Sequence, residues 1–355
     1  MYCEGQFACL DGKTANGLVR HCERYEIKAV IDHRCAGLDA GLVLDGVPNG
    51  IPIVSSLADA LALPGPPLEM FIYGIAPAAG LLSRTDRAVM LAALKSGLNL
   101  VHGLRIYLND DDVFAHAARC HGVKINDIRR PPPLEQLRLF SGQIKSVPCR
   151  RIAVLGTDGA IGKRTTATLL VQALNRHGIR AVLVSTGQTG LMQGGRYGMA
   201  LDAIPSQFCS GEVEAAVVEA YAREQPDVIV IEGQGALSHP AYLSSTFILR
   251  GSQPQAVILQ HAPKRQHLSD FPWLPMPTPA SEIRLIEAFA DTRVIGLTLN
   301  HEHMEEGEIT AAIALYAIEL GIPVSDALSR PGERLVEMVL QAFPELDPAR
   351  VVAPL

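Results

Sequence analysis

RIAVLGTDGAIGKRTTATLLVQALNRHG, residues 151–178, reads as a buried strand, a glycine-rich turn and a helix in unbroken succession. The β-branched and apolar run at 152–155 suits a strand covered on both faces. Glycines at 156, 159 and 162 let backbone N–H groups turn inward and approach an anion with no side chain between. Lys163 adds a cation, and the helix that opens there adds its positive N-terminal dipole. The pattern predicts a phosphate-binding P-loop made of Gly156, Thr157, Asp158, Gly159, Ala160, Ile161, Gly162, Lys163, Arg164, Thr165 and Thr166.

This loop departs from the common GxxxxGK[ST] pattern twice. Thr157 stands where the first glycine is expected, with Gly156 beside it. Arg164 takes the position whose hydroxyl normally holds Mg²⁺, and hydroxyls follow only at Thr165 and Thr166. A guanidinium there repels a metal and suits a phosphate-rich ligand that comes without one.

Outward from the loop, apolar runs at 180–185, 227–232, 256–260, 294–300 and 322–324 predict further strands. Helices are expected over 212–224, 281–290, 308–320 and 332–342. Open α/β sheets place ligands at the carboxyl ends of such strands. STGQTGLMQGGRYG, residues 185–198, holds five glycines and predicts a flexible loop that approaches something closely. Its Thr186, Gln188, Thr189 and Arg196, with Gln234 from the next strand end, are candidate substrate ligands. Glu232 ends that next strand on the side expected to face the P-loop, and His239 follows on a loop. Both are candidate general bases. His261, Lys264 and Arg265 read as a carboxylate site or, more plainly, a solvated basic loop. HEHMEEGE, residues 301–308, lacks HExxH spacing and reads as a charged helix start.

The first third alternates strands at 27–32, 51–54, 69–75, 98–102 and 123–125 with helices at 56–63, 84–96 and 111–121. That alternation predicts another parallel sheet. It carries no intact GxGxxG, so no dinucleotide is assigned to it. RRPPP, residues 129–133, cannot sustain a helix or a central strand. The expected organisation is α/β throughout: a Rossmann-like amino-terminal domain over 1–130, a proline-rich linker over 131–150, and a P-loop NTPase-like, doubly wound domain over 151–355.

A composition of 48% hydrophobic and 19% charged residues with net charge -6 offers no basic footprint for nucleic acid or anionic membrane. The most apolar stretch, 71–82, is broken by Gly74, Pro77 and Gly80 and is too short for a span. MYCEGQFACLDGK shows no secretory leader, and the seven scattered cysteines form no CxxC pair. A cytoplasmic homo-oligomer acting on small molecules is the expectation.

The segments GTDGAIGKRTTA, TGQTG and EGQGALSHPAY, with GKTANGLVR near the start and GIPVSDALSRPGERL near the end, resemble a family long catalogued as a domain of unknown function. One branch of it is known as D-glutamate N-acetyltransferase. The resemblance implies transfer of an acetyl group from acetyl-CoA to an acidic amino acid, most simply D-glutamate. The P-loop would then hold CoA phosphates and no metal would be required. IPIVSSLADAL and AALKSGLNLVHGL in the first third are also similar to segments of the small Rossmann-like domain of CoA ligases. GTDGAIGK is similar to the loop of dethiobiotin synthetase, in which family Asn300 falls where the purine is read. That second likeness keeps an ATP-dependent ligase or kinase as the alternative.

Overall fold

The computed structural model describes residues 1–77 and 82–351, which leaves Gly80 outside the described residues. Two compact units form: Met1–Pro131 with Gln188–Gly194, and Pro132–Gly187 with Gly195–Leu355. Among the described residues no helix is long and apolar enough to cross a membrane.

The first unit carries β1 (Val30–Ile31), β2 (Ile53–Val54), β3 (Met70–Tyr73), β4 (Asn99–His102) and β5 (Ile125–Asp127). Its strand pairs β1–β2, β3–β4 and β4–β5 are parallel. Tyr2 bridges Ile31 on one side and Tyr73 on the other, both in parallel sense, so the order is β2-β1-Tyr2-β3-β4-β5. This is the doubly wound Rossmann order, with the first strand at the centre. Met1–Cys3 is too short to show a period, and the sequence reading therefore began the sheet one strand late. Packing reveals it instead: Tyr2 is 2% exposed, and its ring lies 5.6 Å from Phe71 and 5.8 Å from Tyr73.

The segment 185–198, expected to be a flexible loop, is largely ordered: it contains a helix at Gln188–Gln193 and a strand at Tyr197–Gly198. The helix belongs to the first unit. Met192 is buried with Leu18, Ile72 and Val101, and the Thr189 and Thr14 hydroxyls lie 2.8 Å apart. Gln193 Nε2 donates to the Gly17 and His21 carbonyls at 2.6 Å. Glycine content signalled the close approaches here but not the helix between them.

The second unit continues with β6 (Arg150–Gly156), β7 (Ala181–Ser185), β8 (Tyr197–Gly198), β9 (Val228–Glu232), β10 (Ala256–His261), β11 (His267–Leu268), β12 (Phe271–Pro275), β13 (Arg293–Leu299) and β14 (Val324–Asp326). Seven of them form one sheet in the order β14-β13-β10-β6-β9-β7-β8, parallel at every pairing. Alternate residues of β6 serve opposite faces. Ile152 and Val154 join Leu170, Leu174 and Val230 on one, while Ala153 and Leu155 join Val213, Val217 and Ile231 on the other. The continuous apolar run in the sequence follows from that double cover. The last strand lies at Val324–Asp326 rather than over 322–324, and β11 and β12 form an antiparallel hairpin that the sequence did not announce.

The stretch after the prolines is packed within the second unit, with Ile144 and Val147 buried. Glu214, on the helix Ser206–Glu224, accepts from Ser141 N at 2.7 Å and Ile144 N at 3.0 Å. Gly211 of that helix lets residues 138–140 cross: an added Cβ would sit 2.1 Å from the Arg138 carbonyl oxygen. Gly211→Ala should therefore destabilise, although alanine is the better helix former by about 1 kcal/mol. The expected net loss is about 1–3 kcal/mol from overpacking, read as a lower denaturant midpoint.

Candidate functional site

The turn after β6 folds as the glycines require. Gly162 has φ 97° and Ala160 has φ 47°, so the backbone turns through left-handed conformations directly ahead of the helix Lys163–Arg176. At Gly156 an added Cβ would lie 2.8 Å from Ile161 Cδ1 and 3.0 Å from the Gln260 carbonyl. Lys163 is buried, and its ammonium donates to the Asp158 carbonyl. The Asp158 carboxylate is buried and fully engaged. It accepts from Gly159 N at 2.6 Å, from Ser269 N at 2.9 Å and from Arg265 Nη1 at 2.9 Å. Arg265 also donates to the Gly159 carbonyl and to Glu302. Asn300 Nδ2 donates to the Ile161 carbonyl at 3.1 Å, and its Oδ1 accepts from Glu302 N at 3.0 Å. Thr166 Oγ1 donates to Gln260 Oε1 at 2.6 Å. These bonds shape the loop, and Asn300 braces it.

Glu232 closes β9 directly beside the P-loop strand, in register with Val154. It is buried at 5% exposure, with Oε2 accepting from Thr186 N at 3.1 Å. Burial raises its pKa above the ordinary carboxylate value; the charges of Arg164 and Lys163 and the N–H groups of Thr186 and Gly187 pull the other way. Thr186 Oγ1 donates to the Glu232 carbonyl at 2.9 Å and receives Gln234 Nε2 at 2.7 Å. Gly187 is small because a Cβ there would come within 3.0 Å of Gln234 Nε2.

His239 lies on a tightly tied loop. Ser245 Oγ donates to the Gly235 carbonyl, and buried Glu282 accepts from Leu237 N, from Ser238 N at 3.2 Å and from Ser238 Oγ at 2.6 Å. The imidazole stacks on Tyr242 at 4.4 Å and meets Phe271 of β12 edge-on at 5.5 Å. Tyr242 donates its hydroxyl to Asp270 at 2.6 Å. Burial lowers the pKa of His239. The β11–β12 hairpin and Glu282 were missed in the sequence; the only signal was an aromatic FPW in a proline-interrupted stretch.

Of the candidate substrate ligands, Thr186 and Gln234 join Glu232. Gln188 and Thr189 belong to the first unit, and exposed Arg196 pairs with Glu224. The basic triplet does not converge. His261 is buried between Thr157 Oγ1 at 2.9 Å and the Tyr316 hydroxyl at 3.2 Å, and burial pushes it down to about 4. Lys264 pairs with Glu308. In HEHMEEGE, His301 meets Asp326 at 2.6 Å, and Glu305 with Glu308 makes a capping box. Among the described residues, one His/Asp/Glu group has ligand-like spacing: Glu4, Asp32 and His33 of the first unit. There both Asp32 oxygens already accept backbone N–H groups, from Phe7 and Arg34.

A Rossmann-ordered sheet in one unit and a glycine-cradled, doubly wound sheet in the other define a P-loop α/β protein. The chain belongs to the DUF1611 family: residues 138–336 match its P-loop domain and residues 33–131 its Rossmann-like domain, both described as domains of unknown function. A crystal structure of a DUF1611 family protein from Anabaena variabilis is similar at a TM-score of 0.88 and 34% identity, over 96% of this chain and 98% of that one. A protein named D-glutamate N-acetyltransferase from Tritonibacter scottomollicae is 31% identical over 276 residues, covering 76% of this chain and 80% of its own. Another of that name, from a Pseudoalteromonas species, is 29% identical over 266 residues, covering 73% and 78%.

The geometry makes Arg265 the clamp of the cradle. Its removal leaves the buried Asp158 carboxylate without its counter-charge. Arg265→Gln should therefore destabilise the protein by about 3–5 kcal/mol, measured by thermal or denaturant unfolding. Arg265→Gln combined with Asp158→Asn should recover much of that loss.

Proposed function

We propose that this chain is an N-acetyltransferase that moves an acetyl group from acetyl-CoA to the amino group of an acidic amino acid, D-glutamate first. The activity class is supported by the two relatives of that name. The observation that carries the donor assignment is Arg164. It occupies the place of the magnesium-binding hydroxyl, and its positive charge acts on Glu232, the acid at the neighbouring strand end. A P-loop built this way supplies cations to phosphates from the protein itself. CoA offers a diphosphate and a separate 3′-phosphate and needs no metal, whereas ATP-dependent transfer uses Mg²⁺ at that place. The turn from Ala160 to Gly162, with Lys163 and Arg164, is the fitting cradle.

Acetyl-CoA is a substrate here, and the remaining work falls to the chain's own side chains. The acceptor enters as an ammonium ion and must lose a proton before it attacks the thioester. Of the two candidate bases, Glu232 has the environment of one. Desolvation raises its affinity for a proton, and the Thr186 N–H holds the carboxylate in place. The hydroxyl of Thr186 and the amide of Gln234 lie beside it as groups for orienting the acceptor.

Lys163→Ala should weaken CoA binding about ten- to a hundred-fold through loss of a charge-assisted phosphate contact, measured by calorimetry. Unchanged affinity removes the cradle from this reading. Acetylation of D-glutamate should survive EDTA at full rate. Loss that Mg²⁺ restores would instead establish the ATP-dependent alternative. Glu232→Gln should lower kcat about 10²–10⁴-fold with CoA affinity nearly intact. A base works deprotonated, so wild-type kcat should fall as pH falls through a pKa above the ordinary carboxylate range. That limb should be absent in Glu232→Gln, and its persistence would place the base elsewhere.

A further inference from the structure

Among the buried side-chain polar atoms of the His239 loop, one lacks a hydrogen-bond partner. The Ala241 N–H donates to His239 Nδ1 at 3.2 Å. A backbone amide can only donate, so Nδ1 holds a lone pair and the neutral ring carries its proton on Nε2. That Nε2 is buried and has no hydrogen-bond partner, in a side chain only 4% exposed. An unsatisfied buried donor is destabilising, and such a group in a tightly packed loop marks a place where something else binds.

The ring cannot swing away to find a partner. It is stacked on Tyr242 and edged by Phe271, and its loop is pinned by Glu282 and Ser245. The charged groups in electrostatic reach of it are Asp158 and Lys163 of the P-loop and Asp270 of the hairpin. Both acids are already engaged. Asp158 accepts from Arg265, Ser269 and Gly159, and Asp270 accepts from Tyr242. The hairpin itself is fastened to the loop through Ser269 N and Asp158 Oδ2 at 2.9 Å. Through Phe271 against the ring and Ser269 on Asp158, the hairpin holds His239 close to the P-loop, where a ligand could supply the acceptor.

We propose that His239 is a phosphate ligand: its neutral Nε2–H donates to a phosphoryl oxygen held in the P-loop. A neutral donor suits the place, because Lys163 and Arg164 already supply positive charge to that oxygen's anion. The assignment rests on the cradle being a phosphate site, as in the proposed function, and it extends that reading by moving His239 from proton transfer to recognition. Ala241 N–H occupies the lone pair at Nδ1, and the proton sits on the unpartnered Nε2. The base role then falls to Glu232.

The test uses the full chain with pyrophosphate, CoA and S-acetylpantetheine as probes, all in the presence of EDTA. In ¹⁵N-histidine-labelled protein, the Nε2 of His239, identified by its absence from the His239→Gln spectrum, should show a directly bonded proton. Its resonance should move on adding pyrophosphate or CoA and stay put on adding S-acetylpantetheine, which has the thioester but no phosphate. Calorimetry should find pyrophosphate and CoA weakened about tenfold or more in His239→Ala. His239→Gln, whose amide N–H lies near the Nε2 position, should stay within about threefold of wild type. The pH limb of kcat should be unaltered in His239→Gln. An unprotonated Nε2, wild-type pyrophosphate affinity in His239→Ala, or a response to S-acetylpantetheine alone would each overturn the assignment. Wild-type protein that binds pyrophosphate through His239 but not CoA would overturn the CoA reading and leave the phosphate ligand standing. Protein that binds none of the phosphorylated probes would overturn both.

Discussion

The buried pair of Asp158 and Arg265 is the constraint on which the P-loop unit depends. The turn ahead of the helix Lys163–Arg176 takes its shape from bonds supplied by other parts of the chain. Arg265 does this from one point, gripping the Asp158 carboxylate, the Gly159 carbonyl and Glu302 together. The same carboxylate accepts Ser269 N and so fixes the β11–β12 hairpin. Asn300 secures the far end of the loop through the Ile161 carbonyl.

A carboxylate inside a phosphate loop is a liability unless its charge is occupied. Asp158 is 1% exposed, and its oxygens receive two backbone N–H groups and a guanidinium. Its charge is thereby met by partners from the loop, the hairpin and Arg265. Glu232 shows the opposite balance. Its burial outweighs the nearby cations, and the proton affinity of the carboxyl rises. The two acids thus differ: one is a satisfied strut, and burial raises the proton affinity of the other.

The loop from Gly233 to Tyr242 repeats this economy of placement. At Gly233 an added Cβ would sit 2.1 Å from the Val154 carbonyl, so the chain passes directly over the P-loop strand. Glu282, distant in sequence on the helix Pro279–Phe289, supplies the acceptors that the turn itself lacks. His239 is positioned by these contacts and not by its sequence neighbours alone.

The sequence by itself determined the parallel α/β character of both halves, the P-loop from Gly156 to Thr166 and the acid at the end of β9. Local patterns suffice for these, because a doubly covered strand, a glycine turn and a helix start each have their own residue signature within a few positions. Only the tertiary structure placed the three residues Met1–Cys3 at the centre of the first sheet, since a strand that short has no period to read. It also assigned Gln188–Gln193 to the first unit, bound Asn300 and Arg265 to the loop, and left the Nε2 of His239 without a partner. Each of these rests on groups brought together from distant parts of the chain, where hydrogen-bond satisfaction and close packing decide the outcome and sequence spacing carries no record of it.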